Sequence, residues 1–171
     1  MTAYIALLRA VNVGGTGKLP MTELKAMCEA AGFDQVRTYI ASGNVVFSSD
    51  LEENAVRAAI EESLEAYAGK PVGVIVRTAA EMADTLARNP FSDRPGNRTV
   101  AIFIDGPIPP DAIEKAKNVR DEEMRLGKRE IYVFYGDGMA DSRLTIPAGK
   151  AGTARNMNTI AKLAEMAAAL D

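Results

Sequence analysis

The stretch "VRTYIASGNVVFSS", Val36 to Ser49, decides the fold. Val36–Ile40 and Val45–Ser48 are short runs rich in β-branched and aromatic residues, which suit the half-buried surface of a strand. The intervening "ASGN" supplies Ser, Gly and Asn, the residues of a tight hairpin turn. Two strands joined in this way run antiparallel, side by side.

The pattern extends in both directions from this hairpin. Upstream, Tyr4–Val11 is a nearly continuous apolar run and predicts a buried strand. Leu24, Met27, Cys28 and Ala31 follow at helical spacing, and Gly32 is placed to end that helix. Downstream, Asp50 and Glu53 have the spacing of a capping box. Val56, Ile60, Leu64 and Tyr67 mark one helix face, which Gly69 and Pro71 stop, and Val72–Val76 predicts another strand. The order over residues 1–78 is β-α-β-β-α-β, the ferredoxin-like order with two crossovers on one antiparallel sheet.

Residues 79–171 read as an α+β subdomain that partly repeats this order. Thr78 and Glu81 form a second capping-box pattern before a helix reaching Arg88, and "NPF" at Asn89–Phe91 breaks it. Val100–Ile104 predicts a strand, and "GPIPPD" leads into an expected short helix over Asp111–Val119. Glu123–Leu126 and Glu130–Tyr135 predict a hairpin around Gly127 and Lys128. Ser142–Ile146 is irregular or extended. A last helix is expected from Thr153, as N-cap, to Leu170. The fold class expected is therefore α+β, with two small subdomains and an antiparallel sheet in each.

Composition limits function. The chain has 171 residues, 47% apolar and 25% charged, with net charge −3. That is ordinary for a globular protein and does not suit a strongly basic nucleic-acid coat. No run approaches the ~20 apolar residues of a membrane span, and the N-terminus reads as a first strand rather than a signal peptide. A single cysteine, Cys28, makes no internal disulfide and points to a reducing cytoplasm. It sits on an apolar helical face and reads as a core residue. Histidine is absent, which removes Ser-His-Asp and Cys-His systems and His-based metal sites. No metal site or cofactor is expected.

"LLRAVNVGGTGKLPM", Leu7 to Met21, invites reading as a phosphate loop. A P-loop needs G-x-x-x-x-G-K-[ST]. Gly17 and Lys18 supply "GK", but Asn12 stands at the first glycine and Leu19 at the hydroxyl position that would ligate magnesium. The dinucleotide fingerprint also fails, because Gly14, Gly15 and Gly17 have the wrong spacing. What remains is either a plain glycine-rich connection or a polar cradle. In the cradle, the amides of Gly14 and Gly15, with Arg9, Asn12 and Lys18, would face an anion.

Two further segments admit the same pair of readings. Ser42 and Asn44 are turn chemistry, or they share a rim with Arg9 and Asn12. In "GTARNMNT", Gly152–Thr159, Arg155 and Asn156 fall in the expected first turn of the last helix, where the dipole favours anions. Met157, Ile160, Ala164 and Ala167 form that helix's core face, and Arg155, Asn158, Thr159 and Lys162 face the other way. "DGMADS", Asp137–Ser142, lacks the ligands of a calcium loop, and Asp137-Gly138 reads as a turn. The ferredoxin-like order is also that of the RNA-recognition motif. Here Phe47 is the one aromatic in "SGNVVFSS", Tyr4 is a candidate partner on the first strand, and neither signature of that motif is met.

"YIALLRAVNVGG" (Tyr4–Gly15), "TYIASGNVVF" (Thr38–Phe47), "NPF" and "GTARNMNT" resemble, in order and nearly end to end, a bacterial family of uncharacterised proteins, DUF1697. This chain departs from the family pattern at Ala10 (glycine in the family), Ala41 (glutamine) and Met157 (usually tryptophan). The resemblance implies a two-part α+β fold and no activity. Its matching positions are Arg9, Asn12, Gly14, Gly15, Ser42, Gly43, Asn44, Arg155 and Asn156. The best expectation is a small anionic or polar ligand in a cleft formed by the first loop, the Ser42–Asn44 turn and the start of the last helix. Arg9 and Arg155 would pair with its charge, Asn12, Ser42, Asn44 and Asn156 would orient it, and Gly14 and Gly15 would complete the cradle. Alternatives are single-stranded nucleic acid on the sheet, against which low aromatic content and acidic balance weigh, and a protein-interaction module with no ligand. No general base or nucleophile is assigned.

Overall fold

The structure, a computed structural model, describes residues 1–9 and 19–170. The chain divides into two compact units, Met1–Met82 with Lys162–Asp171, and Ala83–Ala161.

The first unit is built from β1 (Thr2–Leu8), α1 (Met21–Ala30), β2 (Asp34–Thr38), β3 (Asn44–Ser49), α2 (Glu53–Ala68) and β4 (Val74–Thr78). The sheet order is β2-β3-β1-β4, with every neighbouring pair antiparallel. That is the order two crossovers produce when the hairpin β2-β3 adds to one side of β1 and β4 to the other.

Local chemistry sets the boundaries. α1 ends in a Schellman arrangement: Phe33 N–H donates to Cys28 O and Gly32 N–H to Glu29 O, with Gly32 at φ +93°. Gly69, at φ +73°, ends α2. The Asp50–Glu53 capping box is not formed. α2 begins two residues later than that pattern requires, with Glu52 at its N-cap and no side-chain cap bond. Asp50 instead pairs with the N-terminal ammonium at 3.5 Å. Tyr4, Phe47, Phe33, Leu24, Cys28, Val56, Ile60 and Leu64 share one buried cluster, in which Phe33 and Phe47 stack at 4.4 Å.

The second unit repeats the sheet without the helices. β5 (Thr99–Phe103), β6 (Glu123–Leu126), β7 (Glu130–Phe134) and β8 (Thr153–Asn156) lie in the order β6-β7-β5-β8, again antiparallel throughout. Two expected helical segments are corrected here. Asp111–Val119 is a series of turns ending in a bridge between Lys117 and Thr145, with Asn118 at φ +59°. Its backbone bonds mix one i→i−4 step, Lys115 N–H to Asp111 O, with i→i−3 steps, Ala112 N–H to Pro109 O and Ala116 N–H to Ile113 O, and Lys117 N–H leaves for Thr145 O, so no helical ladder propagates. The stretch still covers the sheet, because Ala112 is buried in the same cluster as Val100, Ile131 and Ile146. Asp137 lies in a 3-10 segment, Gly136–Asp141, rather than a simple turn.

The second correction concerns the last helix. Thr153–Asn156 is strand β8, held to β5 by the register Val100↔Asn156 to Phe103↔Thr153. α4 runs only over Met157–Ala168. α3 (Ala79–Ala87) has the capping box its sequence predicts: Glu81 N–H donates to Thr78 Oγ1 at 3.1 Å, and Thr78 N–H donates to Glu81 Oε1 at 3.0 Å.

Candidate functional site

In the first unit, the end of β1 is pinned on both sides. Leu8 N–H donates to Gly43 O at 2.8 Å, and Arg9 N–H donates to Gly73 O at 2.9 Å. Arg9 therefore leaves the sheet between the β2-β3 turn and the residue before β4. Its side chain is exposed. A Cβ on Gly73 would lie 3.5 Å from Arg9 Cδ, in ordinary contact, so the two groups already run side by side.

The turn itself is tightly wired. Tyr39 N–H donates to Asn44 O at 3.0 Å. The Asn44 amide is fully buried and donates to Tyr39 O at 2.9 Å and to Ser42 Oγ at 3.0 Å. A side-chain amide here does what a ladder bond does elsewhere: it satisfies a carbonyl inside the turn. Gly43 takes φ +91°, which favours glycine. Ile40 takes φ +50° and is 50% exposed. A β-branched residue in the left-handed region is strained, at a cost of about 1–3 kcal/mol. Nothing local in the sequence pointed to this, because isoleucine argues for strand. Asn12, Gly14 and Gly15, with Lys18, lie outside the described residues.

In the second unit, Arg155 and Asn156 stand on β8, not at a helix start as the sequence suggested. Arg155 is buried, and its Nη1 donates to Thr153 Oγ1 at 2.8 Å and to Ala154 O at 2.9 Å. Burial pushes its pKa down to about 10, so it remains charged at neutral pH. Asn156 rather than Thr153 caps α4: its Oδ1 accepts from Thr159 N–H at 2.8 Å. Met157, Ile160, Ala164 and Ala167 are buried, as their spacing predicts, but Thr159 is buried too. The predicted site residues thus fall into two sets, Arg9, Ser42 and Asn44 in the first unit and Arg155 and Asn156 in the second.

Other expectations can be located. Tyr4 and Phe47 are both in the cluster beneath α1 and α2, so they offer no exposed stacking surface to a nucleic-acid base. The opposite sheet face is also buried, with Ile5, Leu7, Val46 and Ile75 all inaccessible. Cys28 is buried, and desolvation pushes its thiol up to about 12. Among the described residues, no group of three or more Cys, Asp or Glu side chains could hold a metal, and no helix is long and apolar enough to cross a membrane.

The family model described as a protein of unknown function, DUF1697, matches residues 1–132, and the chain belongs to that family. No curated protein matches it. Among solved structures, the conserved bacterial protein SP0830 from Streptococcus pneumoniae is similar, with a TM-score of 0.79 and 23% identity. The match covers 97% of this chain and 98% of that one, so both halves share its fold.

Proposed function

We propose that this chain binds a small anionic or polar ligand at the rim of its first unit, with Arg9 as the charged contact and the Ser42–Asn44 turn beside it. The observation that supports this most is the strained, exposed turn. Ile40 is held at positive φ in the turn whose Gly43 carbonyl accepts from Leu8 N–H, and the next residue along β1, the exposed Arg9, is fixed by its own N–H donating to Gly73 O. Strain is retained where the surrounding bonds over-determine it, and such places are often ligand clamps. Asn44 and Ser42 act first by shaping the turn. On this reading Arg155 and Asn156 hold β8 and α4 in place, and their contribution to a ligand is indirect. The buried thiol and acidic balance fit a protein of the bacterial cytoplasm with a small-molecule partner rather than nucleic acid.

The test is a thermal-shift screen against inorganic phosphate, sugar phosphates, nucleotides and short RNA, with Arg9→Ala alongside. A ligand at ~100 times its dissociation constant adds about 2.7 kcal/mol, a rise of roughly 5–10 °C for a chain of this size. A shift with one class that vanishes in Arg9→Ala supports the reading. A shift that survives in that variant, or none with any class, overturns it.

A further inference from the structure

A concavity lies entirely within the second unit, and none of the residues the sequence singled out for binding lines it. It has a volume of about 330 Å³ and is lined by Arg88 and Pro90 after α3, by Arg125, Leu126 and Lys128 at the β6-β7 hairpin, and by Tyr132. That size is at the lower end of small-molecule sites.

Its walls are locked together. Tyr132 is buried, and its hydroxyl donates to Thr85 O at 2.7 Å, tying β7 to α3. Thr85 Oγ1 donates to the buried Glu130 at 3.3 Å. The hairpin closes over them, with Gly127 N–H donating to Glu130 O at 2.7 Å. A Cβ on Gly127 would come within 2.7 Å of Glu130 Oε1 and 2.8 Å of Tyr132 Cε2, so the bend needs glycine to sit so close.

The cations are held as well. Asp84 bridges two of them, with Arg88 Nε at 3.0 Å from one carboxylate oxygen and Lys128 Nζ at 3.3 Å from the other. Those bonds pull the Asp84 carboxyl below its ordinary range. Arg125 Nη1 donates to Met124 O at 2.7 Å, and its guanidinium lies 5.9 Å from the Phe91 ring centre. Each of these anchors uses one or two of the N–H groups a cation carries, and a guanidinium has five and an ammonium three. Three positive groups therefore stand around one opening with donors to spare. One exposed carboxylate, Asp84, is already shared between two of them, and the Glu130 carboxylate is buried beneath the hairpin.

We propose that this pocket binds a small phosphomonoester. A tetrahedral dianion presents three oxygens in three directions, which suits donors arriving from three separate side chains, whereas a carboxylate needs only one planar fork. Leu126, Pro90 and the Tyr132 ring give the organic part of the ester an apolar wall. This inference stands apart from the reading of the Arg9 rim, because it shares no residue with it.

The test is calorimetric titration of the whole chain with phenyl phosphate, with inorganic phosphate, benzoate and a short single-stranded RNA as comparison probes. Amide shifts in a nitrogen-15 spectrum would locate the binding. The expected result is one phenyl phosphate per chain, shifting the amides of Arg125, Gly127 and Lys128. Binding should weaken about tenfold in Arg125→Gln and in Lys128→Gln, as loss of one charge-assisted hydrogen bond implies. It should be unchanged in Arg9→Ala. Both glutamine variants alter exposed side chains, and circular dichroism would confirm that they fold. Absence of phenyl phosphate binding at millimolar concentration would overturn the proposal. So would equal affinity for benzoate, tighter binding of RNA through the same amides, or affinity unchanged in both glutamine variants. Inorganic phosphate binding more weakly than phenyl phosphate at the same amides would support the apolar wall.

Discussion

Replacing Asn44 by alanine tests whether that residue shapes the turn or meets the ligand. Asn44 is fully buried and donates two hydrogen bonds, to Tyr39 O and Ser42 Oγ. Each bond contributes about 0.5–1.5 kcal/mol net, and a buried carbonyl left without its partner adds to the loss. Against this, the turn can relax, because Ile40 at φ +50° is released from strain once nothing holds it. The balance is a loss of about 2–3 kcal/mol, or roughly 4–12 °C in Tm for a chain of this length. Urea unfolding followed by circular dichroism reads it directly, and the slope should not change. Ser42→Ala is the internal control. Ser42 is exposed and its hydroxyl accepts from the Asn44 amide, so its cost should stay below about 1 kcal/mol. If Asn44→Ala stays within about 0.5 kcal/mol of the wild type, the amide does not hold the turn, and the account of the strained loop fails with it.

The remaining predictions concern the caps, the buried arginine and the thiol. Thr78→Ala removes half of a formed capping box and should cost about 1 kcal/mol, and Asn156→Ala should cost a similar amount at α4. By contrast, Asp50→Ala should leave α2 unaffected, because the helix takes no side-chain cap there; thermal melts compare all three. Arg155→Ala should cost about 2–4 kcal/mol with no ligand present, because it empties buried volume and strips Thr153 and Ala154 of a charged donor. Cys28, with its thiol pushed up to about 12, should be about one part in ten thousand ionised at pH 8. A thiol reagent should therefore label it only at the rate of unfolding. Fast labelling of the folded chain would show that the helix face is not closed.

How far the sequence could be read depended on whether the deciding interaction was local. The β2-β3 hairpin, the α1 stop at Gly32 and the Thr78–Glu81 box are set by residues within a few positions of one another, and all three formed. β8 is different. "TARN" has little strand character of its own, and only its pairing with β5, some fifty residues upstream, makes it extended. Propensity was overridden by a non-local ladder, and the helix start moved to the next good cap, Asn156. The Asp111–Val119 segment failed in the opposite sense. Its apolar residues have helical spacing, but the Lys117–Thr145 bridge takes the end of the segment out of any helical ladder and holds it in turns. The cations around Tyr132 left no local signal either, since Arg88 reaches the pocket from a helix end far from the hairpin in sequence.

The two sheets, compared position by position, explain why both proposed sites sit where they do. In the first, Leu8 N–H donates to Gly43 O, and β3 opens on the buried polar residue Asn44, opposite Leu7. In the second, Ile104 N–H donates to Arg129 O at 3.0 Å, and β7 opens on the buried polar residue Glu130, opposite Phe103. A glycine precedes the fourth strand each time. Gly73 accepts from Arg9 N–H, and a Cβ on Gly152 would fall 2.4 Å from Phe103 O. The strand order is repeated while the crossovers are helical in one unit and irregular in the other, so the sheet is the repeated object and the connections are free to vary. What both units keep at this corner is a buried polar side chain at the first residue of the third strand: the Asn44 amide bonds within its own turn, and the Glu130 carboxylate accepts from Thr85 on α3 while its backbone oxygen closes the hairpin on Gly127 N–H. In the second unit the closed hairpin carries Lys128 at its tip, above the buried Glu130 carboxylate. Exchanging Glu130 for glutamine should keep the bond from Thr85, with a carbonyl oxygen in place of the carboxylate, and so preserve the hairpin. It also removes the negative charge beneath the pocket. If the corner works as argued, phenyl phosphate should bind Glu130→Gln more tightly than the wild type; weaker binding would mean that the carboxylate itself orders the cations.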